Sequence, residues 1–413
     1  MKVFWLAACA VTVPFGTTAV LAEPLTFDTA LRLAAEAPSV LGRDAGIAAA
    51  RSSAIAADQL PDPTIGLELK DFPVTGPDAG RLNRDNFTMT SIGVSQQFTN
   101  PAKRHARAAM AAAGVTIAEA DKLIELRAVR LETALAWIDL YYGQKRLALL
   151  QSLDAGLDDL QTTVSARLAS GSARPSQALE PAQLRAQVAD RRAGLVADLA
   201  RAKTKLIRFT GDKDVLTAGE PPLPVIDEAG LRSSLAAVPM LRARDAATLS
   251  ADAQAQLARA DKHPDWTVNA SYGRREPNYG DLVTVGVTID LPLFAKRRQN
   301  PKIAAALSEA DRTRFDREAA EREWAAALEA DLADHAMHHQ RLENARKTLA
   351  PLARQRAMLD RESYAAGKTD LGAALLATLS VAEAEVDLLN REAEVARDAI
   401  RINITYAGTT DGL

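Results

Sequence analysis

The sequence predicts a mainly α-helical chain with a transmembrane β portion, in which long α-helical hairpins adjoin four short strands. Three observations predict this. Apolar residues step by three and four over unusually long stretches. Four segments of about ten residues alternate apolar with small or polar residues. Both features occur twice, so the chain is a tandem repeat.

With 413 residues, the chain is long enough for two or three ordinary domains and a sizeable core. Charged residues make up 25% and the formal net charge is −3, which implies neither nucleic acid nor a strongly charged surface as partner. Aromatics are only 5% and alanine is frequent, a composition suited to long, closely packed helices.

Residues 1–22 read as an export signal. Lys2 supplies the positive start, Val3 to Leu21 are mostly apolar or small, and Val20-Leu21-Ala22 fits a small-residue cleavage site before Glu23. The single cysteine, Cys9, falls inside it. Cleavage after Ala22 would leave no disulfide, whereas Leu6-Ala7-Ala8-Cys9 also has the form of a lipoprotein box that would lipidate Cys9. Beyond the signal, no stretch of about 18 apolar residues predicts a transmembrane helix.

The repeat rests on two pairs of segments. SIGVSQQFTNPAKR at 91–104 aligns with TVGVTIDLPLFAKR at 284–297, and Gly93, Val94, Ala102, Lys103 and Arg104 recur as Gly286, Val287, Ala295, Lys296 and Arg297. RLASGSARPSQAL at 167–179 and SYAAGKTDLGAAL at 363–375 each place a glycine, Gly171 or Gly367, between two long helical patterns. The expected units are 23–219 and 220–413, joined near Pro221, Pro222 and Pro224.

Each unit reads helix, strand, strand, long helix, turn, long helix. The first helix is expected over 27–58, with Asp28 near its start and LPDP at 60–63 ending it. A long helix follows over about 102–150, where Met110, Ala113, Ile117, Ala120, Ile124 and their successors form a coiled-coil-like seam. The returning helix carries Val188, Leu195, Leu199, Leu206 and Phe209. In the second unit Val381, Leu388, Val395 and Ile402 keep a seven-residue spacing. Strands are expected at about 63–72, 87–98, 265–274 and 282–293, the second with a change of phase.

Segments of about ten residues, apolar on one face and small or polar on the other, suit a barrel wall with lipid outside and water inside. Phe72, Phe87, Phe98, Trp266 and Phe294 lie near segment ends, where interfacial aromatics belong. An ordinary half-buried sheet has the same alternation. Four strands cannot close a barrel, and an open edge cannot face lipid, so other copies are needed. Three copies would supply twelve strands.

Taken together, the sequence resembles the TolC-like outer-membrane efflux proteins. The resemblance rests on LTFDTALRLAAEAPSV at 25–40, LPDPTIGLEL at 60–69, the two strand-to-AKR segments, the Gly171 and Gly367 turns, and the RFTG and TYAG ends at 208–211 and 405–408. LPDPTIGLEL is nearest the branch that works with heavy-metal exporters. The resemblance implies a homotrimer whose twelve-strand outer-membrane β-barrel continues into a periplasmic helical barrel. It also implies a periplasmic adaptor and an inner-membrane transporter, of RND type, as partners, with outer-membrane lipid around the strands. Solutes, heavy-metal cations first among them, would pass through. Arg167, Leu168, Ser170 and Gly171, with Tyr364, Ala365, Gly367 and Lys368, would lie at the adaptor-docking helix tips. Family members often close the entrance with acidic residues after the second tip glycine; here those positions hold Ala373 and Leu376, with Asp370 nearby, which points to an apolar constriction.

Other chemistry is sparse. His335, His338 and His339 lie on one helical stretch with Asp331 a turn earlier, a spacing compatible with metal ligation and with an ordinary helix face. No metal site or cofactor is expected. Neither a nucleophile elbow, a phosphate loop nor a cysteine cluster is present, so no enzyme is expected. Two other readings stay open: a conduit for drugs, organic solutes or secreted protein, and a periplasmic coiled-coil scaffold or adaptor.

Overall fold

Prolines and caps set where the helices begin and end. The computed structural model describes residues 24–82, 84, 86–170, 174–211 and 216–407. The expected signal with Cys9, and the tip residue Gly171, lie outside the described residues.

A two-residue strand, β1 (Leu25–Thr26), leads into α1 (Phe27–Ala35), whose cap is the Thr26 hydroxyl accepting from the Thr29 N–H at 3.3 Å. The single helix expected over 27–58 is in fact two. Pro38 cannot sit inside a helix, so it opens α2 (Pro38–Ala57) at the first-turn position, where its missing N–H costs nothing. After LPDP come β2 (Thr64–Lys70) and β3 (Met89–Phe98).

Helix α3 (Pro101–Ala169) runs 69 residues, well past the expected end near 150. Only Gly156 interrupts 150–169, and one interior glycine costs about 1 kcal/mol, too little to stop an otherwise favourable helix. At 1.5 Å per residue α3 spans roughly 100 Å. Asn100 caps it, its side-chain oxygen accepting from the Ala102 N–H at 2.9 Å. Helix α4 (Glu180–Thr210) returns and stops at Gly211, which takes the left-handed conformation at φ 72°.

The order then recurs. A short β4 (Thr217–Ala218) pairs in parallel with β1. Helices α5 (Glu228–Ser234) and α6 (Pro239–Ala260) lead to β5 (Trp266–Arg274) and β6 (Leu282–Ile289). The counterpart of α3 is divided: α7 (Gln299–Asn344), a π-helical turn (Ala345–Leu349) and α8 (Ala350–Ala365) run end to end. Helix α9 (Leu371–Tyr406) returns.

Strands β2, β3, β5 and β6 form one antiparallel sheet in that order, with continuous register through each pair. The helices bury their alanine-rich and leucine-rich faces on one another. Trp137 is fully buried where α1, α3, α4 and α9 meet, with Phe27, Leu206 and Ile400 around it. Its indole N–H donates to the Leu25 carbonyl at 2.9 Å, which satisfies the one polar atom of a large buried ring. A second core joins α5, α7 and α9 through Leu231, Leu328, Leu332, Ile402 and Tyr406. A third, toward the helix tips, holds Leu150, Val164, Leu184, Val188 and Leu375.

Candidate functional site

The sheet has two unlike faces. Register places Ile65, Leu67 and Leu69 of β2 level with Val94, Ile92 and Thr90 of β3, then with Ala270, Tyr272 and Arg274 of β5. The apolar row continues onto Val285 and Val283 of β6. These side chains are not covered by any helix: Leu67 is 79% exposed, and Ile65 and Val283 are each 73% exposed. A contiguous apolar surface of this kind marks contact with a membrane or with another protein.

On the opposite face, Thr64, Gly66, Glu68, Ser91, Asn269 and Thr284 line a shallow concavity of about 420 Å³. Glu68 and Lys70, neighbours on this face of β2, pair at 3.3 Å. The change of phase expected near 87–98 has a physical cause. Strand β3 starts at Met89, which turns to the polar face and fills the space above Gly273, where a Cβ would collide with the Met89 sulfur. From Ser91 to Ser95 the alternation is regular. Strand β6 likewise ends at Ile289, before Pro292, rather than at 293.

The outer edges of β2 and β6 pair with no strand among the described residues. At the base of the sheet the two halves of the chain are pinned together. The Asn100 N–H and the Lys103 ammonium donate to the two carboxylate oxygens of Asp265, at 2.8 and 2.9 Å. Burial alone would raise the Asp265 pKa, but these two donors outweigh it and hold the carboxyl below its ordinary value.

At the far end are the helix tips. Arg167 and Leu168 lie in the last turn of α3, and Ser170 is its C-cap. Tyr364 and Ala365 end α8. Gly367 takes φ 73°, its N–H donates to the Tyr364 carbonyl at 3.0 Å, and the Lys368 N–H donates to Ser363 at 2.8 Å. This double bond is a Schellman closure, and its left-handed position favours glycine. Asp370 is spent on a cap, accepting from the Ala373 N–H at 2.9 Å. Leu376 projects outward, 68% exposed, while neighbouring Leu375 is buried.

Below the tips, Glu180, Gln183 and Leu184 of α4 face Gly372, Leu375 and Leu379 of α9 across a groove of about 250 Å³. Gly372 permits that approach, since a Cβ there would stand 3.2 Å from the Glu180 carboxylate. Sequence reading missed this pair because nothing local links residues so far apart in the chain.

The histidine stretch on α7 is split between partners. His338 Nδ1 lies 2.6 Å from Asp398 of α9, and Arg401 joins Asp398 to Asp331 at 3.0 and 3.2 Å. The Tyr406 hydroxyl donates to Asp331 at 2.8 Å. His335 and His339 stand 6.3 Å apart, centroid to centroid. Among the described residues no group of three or more His, Cys, Asp or Glu side chains converges as a metal site. The arrangement joins two helices.

The strand sheet, apolar on one face and polar on the other, is continued by helices of roughly 100 Å. Residues 230–404, in the second half, match the family profile described as outer membrane efflux protein. The solved channel CusC superposes with a TM-score of 0.80 at 14% identity, over 93% of this chain and 92% of that one. A membrane protein from Pseudomonas aeruginosa gives a TM-score of 0.81 at 16% identity, over 94% and 91%. The outer membrane protein VceC from Vibrio cholerae gives 0.77 at 15%, over 93% and 97%. No curated protein sequence matches. At such identities the likeness fixes the fold alone: long helical hairpins joined to a strand portion, as in these solved structures.

Proposed function

We propose that the chain is one subunit of a homotrimeric outer-membrane channel, the passive conduit of a tripartite efflux pump, with most of its length in the periplasm. The observation that carries this reading is the open four-stranded sheet: its exposed face is apolar, its concave face polar, and both of its edges are unpaired among the described residues. A single copy is incomplete in lipid, and three copies supply a closed twelve-strand wall. The helix tips, with Leu168, Ser170, Ala365 and Lys368, would meet a periplasmic adaptor, which links the conduit to an inner-membrane transporter.

Membranes from cells making the protein, solubilised in detergent and run unheated, are expected to show an outer-membrane species near three times the 44.1 kDa chain mass that heating dissociates. A soluble periplasmic monomer would sink this reading and leave a coiled-coil scaffold.

Heavy-metal cations are the proposed cargo, on the resemblance of LPDPTIGLEL at 60–69 to the metal-exporting branch. Deleting the gene should sensitise cells to cobalt, zinc, cadmium or copper. Unchanged metal tolerance with new sensitivity to organic drugs would assign the conduit to drugs instead. The entrance is proposed to narrow at an apolar ring of Leu376 with Ala373, because Asp370 already caps α9. Leu376→Ala should raise single-channel conductance in planar bilayers; an unchanged conductance would place the constriction elsewhere.

A further inference from the structure

The strand registers relate the two halves of the chain more tightly than the repeated segments do. Thr64 faces Ser95 in the first hairpin, and Trp266 faces Ile289 in the second. Gly93, Val94 and Lys103 recur 193 residues later as Gly286, Val287 and Lys296. Together these place each β2 residue in the position of the β5 residue 203 later. The sequence agrees independently, because Asp58, Pro61, Asp62 and Thr64 recur at that offset as Asp261, Pro264, Asp265 and Thr267. Helices α2 and α6 end at Ala57 and Ala260, again 203 apart.

Inside the chain, the first half joins the second along β3 and β5, where Lys103 lies 2.9 Å from Asp265 and 3.8 Å from Asp261. By the repeat, the counterparts of this junction sit at the two free edges: Lys296 beside β6, and Asp58 and Asp62 beside β2. All three are exposed, and none is ion-paired among the described residues.

We propose that a second copy of this chain docks by repeating the β3–β5 junction across the boundary between copies. Strand β6 of one copy then pairs antiparallel with β2 of the next, with Val285, Val287 and Ile289 opposite the partner's Leu69, the partner's Leu67 and the partner's Ile65. Lys296 pairs with the partner's Asp62, with the partner's Asp58 nearby. The proposal rests on the conduit reading, in which closing the wall already brings the two free edges together, and adds to it the register and the ion pair.

Three observations support that register. It sets apolar faces level with apolar faces, as a wall in lipid requires. It explains Gly286. A Cβ on its counterpart Gly93 would stand 3.1 Å from Ser271, whereas Gly286 faces open space in a single chain and the partner's Glu68 at the proposed seam. It also explains Ile55 on α2, which is 73% exposed although its counterpart Ala258 is buried in α6, a helix packed on α3. The two junctions differ in one respect. Lys103 is in the first turn of α3, whereas Lys296 lies in the turn before α7 begins at Gln299. A head-to-tail contact of this kind adds copies until the ring closes.

Engineered cysteines test the register in intact membranes, since Cys9 is the only native cysteine. Leu67→Cys with Val287→Cys in one chain should cross-link copies on oxidation. Pairing Val287→Cys with Ile65→Cys or Leu69→Cys should give about ten-fold less product, because diagonal neighbours stand roughly 7–8 Å apart, beyond ordinary disulfide reach. Equal or greater cross-linking by a shifted pair overturns the register while leaving the conduit reading intact. In the second measurement, Lys296→Glu should deplete the unheated oligomer and adding Asp62→Lys should restore it, whereas Asp62→Lys should not rescue Lys103→Glu. No restoration overturns the ion pair. A wild-type chain that is monomeric in its membrane overturns both the seam and the conduit.

Discussion

The two halves of this chain follow one plan, yet the first is finished inside the chain and the second is not. Helix α3 runs unbroken for 69 residues and packs on α2, α4, α6 and α9. Its counterpart is cut into pieces of 46, 5 and 16 residues, and the last, α8, packs chiefly on α9. Pro351, just after the π turn, lacks an N–H and crowds the carbonyl four residues back; the wide turn lets the helix continue past it. Leu349, Leu352, Met358 and Leu359 stay exposed along this stretch. The first hairpin therefore has a continuous outgoing limb, and the second is interrupted midway by the π turn.

The largest difference between the halves should appear at the two junction lysines. Lys103→Ala strands the largely buried Asp265 carboxylate and should cost about 3 kcal/mol in denaturant unfolding. Lys296→Ala should cost the isolated chain less than about 0.5 kcal/mol, as at an ordinary surface site. Equal losses would show that the second junction is also closed within one chain. The sign with pH follows from Asp265, whose folded pKa is depressed. Its contribution is complete above the ordinary carboxylate value and is lost as pH falls through the folded value.

Two smaller effects probe the second hairpin alone. Pro351→Ala restores a donor and removes the ring, so amides 345–355 should gain about 1 kcal/mol of protection in hydrogen exchange. Unchanged protection would mean that the proline is not what softens this half. Gly367→Ala places a Cβ at φ 73° and should destabilise the tip by about 1 kcal/mol, read as faster exchange at the amides of residues 367 and 368.

Much of this architecture was legible because it is periodic. Helical seams, strand alternation and the Gly367 turn are local patterns, and they placed the long helices and all four strands near their observed positions. What escaped was set by contacts between distant segments. The turn of Met89 to the polar face depends on Gly273, across the sheet. The histidine spacing on α7 suggested convergence on one ion, but His338 answers to Asp398, sixty residues on, and Asp331 to Tyr406 and Arg401. The recurrence of Asp58, Pro61, Asp62 and Thr64 was in the sequence throughout; its meaning needed the strand register. The break at Pro38 was readable as well, since a proline in that setting starts a helix.

The smallest expected effect concerns that same stretch of α7 and separates the halves by pH. Burial lowers the pKa of His335; Asp398 opposes the shift, and His339 and His338 add to it. Arg401 and Asp331 complete the charged surroundings from α9 and from α7 itself. Because the folded value lies below the unfolded one, the unfolded chain takes up this proton first as pH falls, and the folded state loses stability through that window. In the first half the position 193 residues earlier is Tyr142, whose pKa burial pushes up to about 12, far from the same window. Unfolding midpoints measured from about pH 7 down to 5 should therefore fall less steeply in His335→Gln than in the parent chain, while Tyr142→Phe should keep the parental slope. Parallel slopes for all three proteins would remove His335 as the source, and a flattened slope in Tyr142→Phe would mean that the two halves share one titrating network.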